Sequence, residues 1–289
     1  MTEPRVASDV AADDGLSAET ARREARLYAL LAGYDSVLVA YSGGVDSAYL
    51  AWAANRARPG QVLCVTADSP SYPRRHREIA DAIAREFRLS HEFIHTGELE
   101  RPAYRANDAD RCYHCKTELY EHLARVARDR GFEVVVDGSN ADDRGDYRPG
   151  RQAAREFGVR SPLDLADLTK SEIRVLARRA GLPIWDEPAS ACLSSRIPYQ
   201  SEVTEAKLAT IEAAEEAVRA LGFRVFRVRH HDTLARLEIG RDEMARALEP
   251  EINAALVSRL KAIGYKYVSL DLQGYRTGSL NEVLRLRPI

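Results

Sequence analysis

Apolar residues recur at helical spacing over residues 18–32, with Ala21, Ala25, Tyr28 and Leu31 among them and Gly33 where a helix end favours glycine. The pattern then changes. Val37-Leu38-Val39-Ala40 is a short unbroken apolar run, the mark of a strand buried on both faces of a parallel sheet, and Gln61 to Ala67 is a second. A helix around 74–88, a strand around 91–96, a helix around 116–130 and the run Glu133 to Val136 continue a β-α-β-α-β alternation. Such alternation predicts an α/β fold: a Rossmann-like parallel sheet with crossover helices on both faces and ligands beyond the carboxyl ends of its strands. Thr169-Lys-Ser-Glu172 reads as a capping box opening a helix through Ala180, and Gly181-Leu-Pro183 closes it.

From about 203 the rhythm becomes a long helix (204–221), an alternating strand (223–229), a helix (241–263) and a last strand (265–270). This predicts a second, smaller α/β domain. The expected organisation is a disordered tail over 1–17, a nucleotide domain over 18–187 and a companion over 188–289.

Composition narrows the function classes. The 289 residues are 45% hydrophobic and 30% charged, with no stretch near the roughly 18–20 apolar residues of a membrane span. Residues 1–17 are small and acidic, unlike a secretory signal. A cytoplasmic protein with no membrane partner is expected. The formal net charge of −2 disfavours a polynucleotide partner, which calls for a basic domain or stripe.

Ser42-Gly43-Gly44-Val45-Asp46-Ser47 stands between the first strand and the next helix. Two glycines let backbone approach an anion, and loop amides with a helix N-terminus supply donors for phosphate. Ser42 and Ser47 add hydroxyls. Asp46 is repulsive beside phosphates unless it holds Mg²⁺ or orients the loop, and both roles remain open. The spacing matches neither the Gly-x-x-x-x-Gly-Lys nor the Gly-x-Gly-x-x-Gly loop. It resembles the pyrophosphate (PP) loop of ATP pyrophosphatases, which implies ATP cleavage to AMP and pyrophosphate through an adenylated acid. Asp137-Gly-Ser-Asn-Ala-Asp-Asp143 follows another apolar strand and should share this rim, as metal ligands or as a polar turn.

Cys112-Tyr-His-Cys115 and the distant Cys192 form the second constellation; Cys64, inside Val62-Leu-Cys-Val65, reads as a buried hydrophobe. Three thiolates fall short of the four ligands of a structural zinc, and His114 is awkwardly placed to complete them. They can hold a [4Fe-4S] cluster with one iron open to an added sulfide. Alternatively Cys192 is a nucleophile whose pKa Arg196 lowers.

On the PP loop, Gly138–Asp143, Arg160-Ser-Pro-Leu163 and above all Pro188-Ala-Ser-Ala-Cys-Leu-Ser-Ser-Arg-Ile-Pro198, the chain resembles the LarE-type ATP-dependent sulfur transferases from about residue 18 onward. The resemblance implies adenylation of the carboxylates of pyridinium-3,5-biscarboxylic acid mononucleotide and their conversion to thiocarboxylates, for the nickel-pincer cofactor of lactate racemase. Its cofactors are ATP, Mg²⁺ and, in one branch, a [4Fe-4S] cluster. In one branch the residue matching Cys192 gives up its sulfur and becomes dehydroalanine. In the other it joins a Cys-x-x-Cys pair on the cluster, and the pair Cys112 and Cys115 favours that branch here. Homo-oligomers, often hexamers, are a further implication.

In Phe223-Arg-Val-Phe-Arg-Val-Arg-His-His231 a period of two puts Arg227, Arg229 and His231 on one face and Phe226 and Val228 on the other. The paired arginines suit a phosphate or dicarboxylate. The resemblance places them, with Glu238, at the substrate phosphate. Two rival enzymes remain. A tRNA thiolase of the same loop class needs a basic surface, yet basic residues barely outnumber acidic ones over 195–289. An ammonia-dependent adenylating ligase would leave the cysteines structural.

Overall fold

A run such as Val37–Ala40, with no polar side chain for either face, can satisfy its backbone only between other strands. In the computed structural model β1 (Val37–Ala40) is an interior strand of a parallel sheet. The structure describes residues 16–145, 149–188, 191–276 and 278–283. Ser17, at the edge of the expected tail, caps helix α1 (Ala18–Ala32) by accepting the Thr20 amide at 3.0 Å; residues 1–15 of that tail lie outside the described residues.

After β1 come α2 (Val45–Ala57), β2 (Val62–Asp68), α3 (Arg74–Glu86) and β3 (His91–His95). A short helix α4 (Pro102–Arg105), the long α5 (Arg111–Arg130) and β4 (Val134–Val136) complete a four-stranded sheet of order β3-β2-β1-β4, parallel at every pairing. Helices α6 (Gly150–Glu156), α7 (Pro162–Leu165) and α8 (Lys170–Arg179) follow. The period of two sorts β1 between two cores. Val37 and Val39 pack with residues of α1, α2, α3 and α8, while Leu38 and Ala40 pack with residues of α5 and α6. The parallel α/β architecture is as the hydrophobic pattern predicts.

The second unit comprises α9 (Glu205–Arg219), β5 (Phe226–His231), β6 (Leu234–Ile239), α10 (Met244–Ala247), α11 (Pro250–Ile263) and β7 (Tyr267–Leu270). Its three-stranded sheet has the order β5-β6-β7, antiparallel then parallel. Strand β6 is absent from the sequence reading. The connection Asp232-Thr233 lacks the glycine that usually signals a two-residue hairpin, and Asp232 itself takes the left-handed φ of 50°. The helix expected over 241–263 is two, because Pro250 opens a new one. Helix α5 starts at Arg111 rather than 116, so Cys112 and Cys115 occupy its first turn.

A small core of Tyr104, Leu193, Ile197, Val203, Leu208 and Ile211 joins the two units, and Cys115 packs on it. No described helix is long and apolar enough to cross a membrane.

The capping box at Thr169 forms as read: its hydroxyl accepts the Glu172 amide while the Glu172 carboxylate accepts the Thr169 amide. Glu172 also takes Arg23 at 2.8 Å and Thr20 at 3.0 Å. Burial would raise its pKa, but the Thr169 donors, Arg23 and Thr20 outweigh it and hold the carboxyl below its ordinary value. A depressed carboxyl contributes stability above its unfolded pKa and loses it as pH falls through the folded one. We therefore expect Glu172→Gln to lose about 0.5–2 kcal/mol in denaturant unfolding at neutral pH, with the difference from the unsubstituted protein shrinking as pH drops below the carboxylate range.

Candidate active site

The PP loop is held from within and from two neighbours. Gly43 has a φ of 67°, and a Cβ there would lie 2.8 Å from the Cβ of Ala80 on α3, so the turn requires glycine on both counts. The Ser47 hydroxyl accepts the Ser42 amide at 3.1 Å and donates to the Gly44 carbonyl at 3.1 Å. Tyr72 donates to the Ser42 carbonyl at 2.9 Å. From the other side Gly138 presses on the start of α2, where a Cβ would come within 3.0 Å of the Ser47 nitrogen. Gly44 begins α2 without a side-chain cap, which leaves its first-turn amides for an anion.

Asp46 lies in that first turn. Lys170, at the start of α8, bonds Oδ2 of its carboxylate, while Oδ1 is buried with no hydrogen-bond partner among the described residues. Burial raises the Asp46 carboxyl above its usual value; Lys170 opposes the shift and Asp143 adds to it. A buried, unsatisfied carboxylate oxygen beside a second carboxylate at a phosphate site fits a hard cation. Asp46, with Asp143 alongside, is where Mg²⁺ would be held. The rest of Asp137–Asp143 is a structural turn: Asp137 accepts Tyr120 at 2.9 Å, Ser161 at 2.7 Å and the Ser139 hydroxyl at 3.0 Å, and Asp142 accepts the Lys170 amide at 2.9 Å. Lys170 escaped the sequence reading because its role in the capping box hid its side chain.

Cys192 precedes a 3-10 turn, Leu193–Arg196. Its neighbours Ala189 and Ser190 in the Pro188–Pro198 segment lie outside the described residues. The turn is bound to both units. The Leu193 amide donates to the Ser71 carbonyl at 2.9 Å, and Arg229 donates to the Ser195 carbonyl at 2.6 Å. Arg196, 2% exposed, makes a two-bond pair with Glu215, both at 2.8 Å, and donates to the carbonyls of Ala191 and Cys192 at 2.8 and 3.0 Å. Its charge, expected to act on the Cys192 thiol, is matched by Glu215, a residue the sequence reading did not single out.

Cys112 and Cys115 share a face of α5 at i, i+3 spacing and feel Cys192 electrostatically. The three thiols are neighbours but not a preformed ligand set: among the described residues no three His, Cys, Asp or Glu side chains are placed to hold a metal ion. Burial, and next Glu98, raise the Cys115 thiol above its ordinary value. Cys112, Cys115 and Cys192, the expected donors of a [4Fe-4S] cluster, thus lie in one neighbourhood. His114 faces Asp110 at 3.3 Å instead of the thiols. Cys64 is fully buried in the sheet, as read, its thiol pushed up to about 12 by burial.

Strand β5 separates its faces as the alternation predicts. Phe226 and Val228 enter the core of the second unit. On the other face Arg229 pairs with Glu238 at 2.7 Å and bonds Ser279 at 2.8 Å, and Arg236 reaches Glu238 at 3.1 Å. Arg227 lies over the Tyr275 ring at 5.0 Å, and burial, then Arg196, lower its pKa to about 10. Arg227 and Arg229 are buried, not on a solvated edge. Arg236 and Ser279 join the expected set of Arg227, Arg229 and Glu238; they were missed because β6 was missed. His231 ends the strand exposed.

Asp46→Asn keeps the shape of the loop but removes the charge offered to a cation. We expect it to fold normally and to lose Mg²⁺-dependent release of pyrophosphate from ATP by at least about 100-fold, checked by a pyrophosphate assay over a Mg²⁺ series.

The family model for asparagine synthase matches residues 33–249. The pyridinium-3,5-bisthiocarboxylic acid mononucleotide synthase of Lactiplantibacillus plantarum is 35% identical over 268 residues, 92% of this chain and 96% of that protein. The uncharacterized protein slr1717 of Synechocystis is 43% identical over 250 residues, 86% of this chain and 93% of its own length. A tRNA(Ile)-lysidine synthase of Bradyrhizobium is 30% identical over 199 residues, 62% of this chain and 54% of that protein. With an uncapped, glycine-built phosphate loop at the carboxyl end of a parallel sheet and near-complete coverage of a thiocarboxylate-forming relative, the chain belongs to the PP-loop ATP pyrophosphatases of the asparagine synthase family, in their LarE-type branch.

Proposed function

We propose that this enzyme adenylates the carboxylates of pyridinium-3,5-biscarboxylic acid mononucleotide and converts them to thiocarboxylates for nickel-pincer cofactor assembly, the sulfur entering at Cys192. The observation that carries this reading is the double attachment of the Cys192 turn. One end is bonded to the ATP-binding unit through Leu193 and Ser71, the other to the arginine strand through Ser195 and Arg229. A thiol held there stands between an activated acid and an anion cradle. The relative from L. plantarum, named for the bisthiocarboxylic product, supports the same substrate.

The chemistry divides between the units. Amides at the start of α2 and the Ser42–Ser47 loop bind the phosphates of ATP, and Asp46 would hold a Mg²⁺ that neutralises their charge. A substrate carboxylate oxygen attacks the α-phosphorus, the bond to the β-phosphate breaks, and pyrophosphate leaves. Arg227 and Arg229 hold the substrate's own phosphate, with Glu238 fixing Arg229. The Cys192 sulfur, its proton released to solvent, attacks the acyl carbon and AMP departs, giving a thioester. Loss of the Cys192 α-proton with cleavage of its Cβ–S bond then releases the thiocarboxylate and leaves dehydroalanine.

Intact mass after a single turnover tests the sulfur source. We expect the protein to lose the mass of one H₂S, with no stoichiometric iron or sulfide after anaerobic purification. An unchanged mass with bound iron and acid-labile sulfide would instead assign the sulfur to a cluster. Arg227→Ala should weaken the pyridinium nucleotide by about 10- to 100-fold, the scale of a lost charge-assisted bond, while leaving the KM for ATP within about two-fold. Equal losses for both substrates would argue against the phosphate cradle.

A further inference from the structure

Ahead of the Cys-x-x-Cys helix, three polar side chains are buried and spend their bonds on one loop. Tyr104, Asn107 and Arg111 are 1%, 0% and 3% exposed. The Tyr104 hydroxyl meets the Ser194 hydroxyl at 2.5 Å. Asn107 donates from Nδ2 to the carbonyls of Pro198 at 2.7 Å and Ser201 at 2.9 Å. Arg111 donates from Nη1 to the Ser194 carbonyl at 2.9 Å and to Asn107 Oδ1. Backbone bonds run alongside, from Gln200 to the Asn107 carbonyl at 3.1 Å and from Val203 to the Arg105 carbonyl at 2.9 Å. Asn107 sits at a left-handed φ of 59°, which turns its amide into the loop. Arg111 has no carboxylate partner among the described residues, although a buried guanidinium normally takes one. Its electrostatic neighbours are Cys192, Cys112 and the phenols of Tyr104 and Tyr199.

We propose that Tyr104, Asn107 and Arg111 are positioning residues that hold the Cys192 turn against the ATP-binding unit, and that they act on sulfur transfer and not on adenylation. This rests on the reading of Cys192 as the point of sulfur entry. Glu215, through Arg196 of the turn itself, and Arg229 hold the turn from the second unit. From the first unit the turn is held by the Leu193–Ser71 backbone bond and by these three side chains, which together set the thiol relative to the acid activated above the PP loop. Adenylation needs only ATP, the PP loop and the carboxylate. Capture needs the sulfur within reach of the acyl carbon, where a displacement near 1 Å costs about 100-fold. An adenylate that is not captured meets water: water adds to the acyl carbon, AMP leaves, and the carboxylate is re-formed with a proton released. Loosening the clamp should therefore uncouple pyrophosphate release from thiocarboxylate formation.

The test uses full-length Arg111→Ala and Tyr104→Phe, the latter removing one hydroxyl and serving if the former does not fold. With ATP and the pyridinium nucleotide, both variants should release pyrophosphate within about three-fold of the unsubstituted protein and yield roughly 10- to 100-fold less thiocarboxylate per pyrophosphate. Hydrogen exchange on the unliganded proteins should show faster exchange over 192–203 with 74–86 unchanged. The proposal is overturned if pyrophosphate and thiocarboxylate fall together, or if exchange over 192–203 does not move. Should the unsubstituted protein make no thiocarboxylate, the sulfur-transfer reading falls, and the exchange result alone then decides whether the clamp exists.

Discussion

The buried ion pair between Arg196 and Glu215 is the interaction on which the arrangement of the two units depends. Glu215, on α9, accepts Nε and Nη2 of the guanidinium and also the Val228 amide of β5 at 3.2 Å. Arg196 in turn holds the carbonyls of Ala191 and Cys192. One pair thus joins a helix, a strand and the turn that carries the thiol. Two charges removed from water are tolerated only where every remaining donor and acceptor is used, and here they are spent on backbone that would otherwise be unsatisfied. Burial and Arg196 act on Glu215 in opposite directions, and its pKa is lowered.

Charge is handled differently on the ATP side. The loop leaves its amides uncapped, and among the described residues one oxygen of Asp46 has no hydrogen-bond partner. Lys170 pairs with the other. The sulfur side is nearly closed, with Arg196, Glu215, Glu238 and Arg229 all buried and paired. An open electrostatic site suits a nucleotide that binds and leaves; a closed one fixes the backbone of the turn that carries Cys192.

The cysteines show how little of a site spacing alone reports. Cys112 and Cys115 lie one turn apart on α5, a spacing set by the helix and not by a ligand. Cys192 reaches them from a turn that Arg196 holds through the Cys192 carbonyl. Local sequence reports that thiols are present. Whether they converge depends on where two distant segments dock.

What the sequence determined by itself is whatever short-range physics dictates. Val37–Ala40 must be an interior strand because neither face is polar; Ser42–Ser47 reads as a tight anion-binding turn because two glycines stand between a strand and a helix; Thr169 and Glu172 cap a helix through bonds three residues apart. The alternation in Phe226–Val228 likewise placed Arg227 and Arg229 on one face before any partner strand was known. The tertiary structure decided the rest. It paired Lys170 with Asp46 across 124 residues and Arg111 with the Ser194 carbonyl across 83, and it supplied Glu215 as the counter-charge to Arg196. Strand β6, whose turn carries no glycine, became visible only through its pairing with β5. A bond between residues far apart in the chain leaves no periodicity behind; it exists only once the cores have brought both ends together.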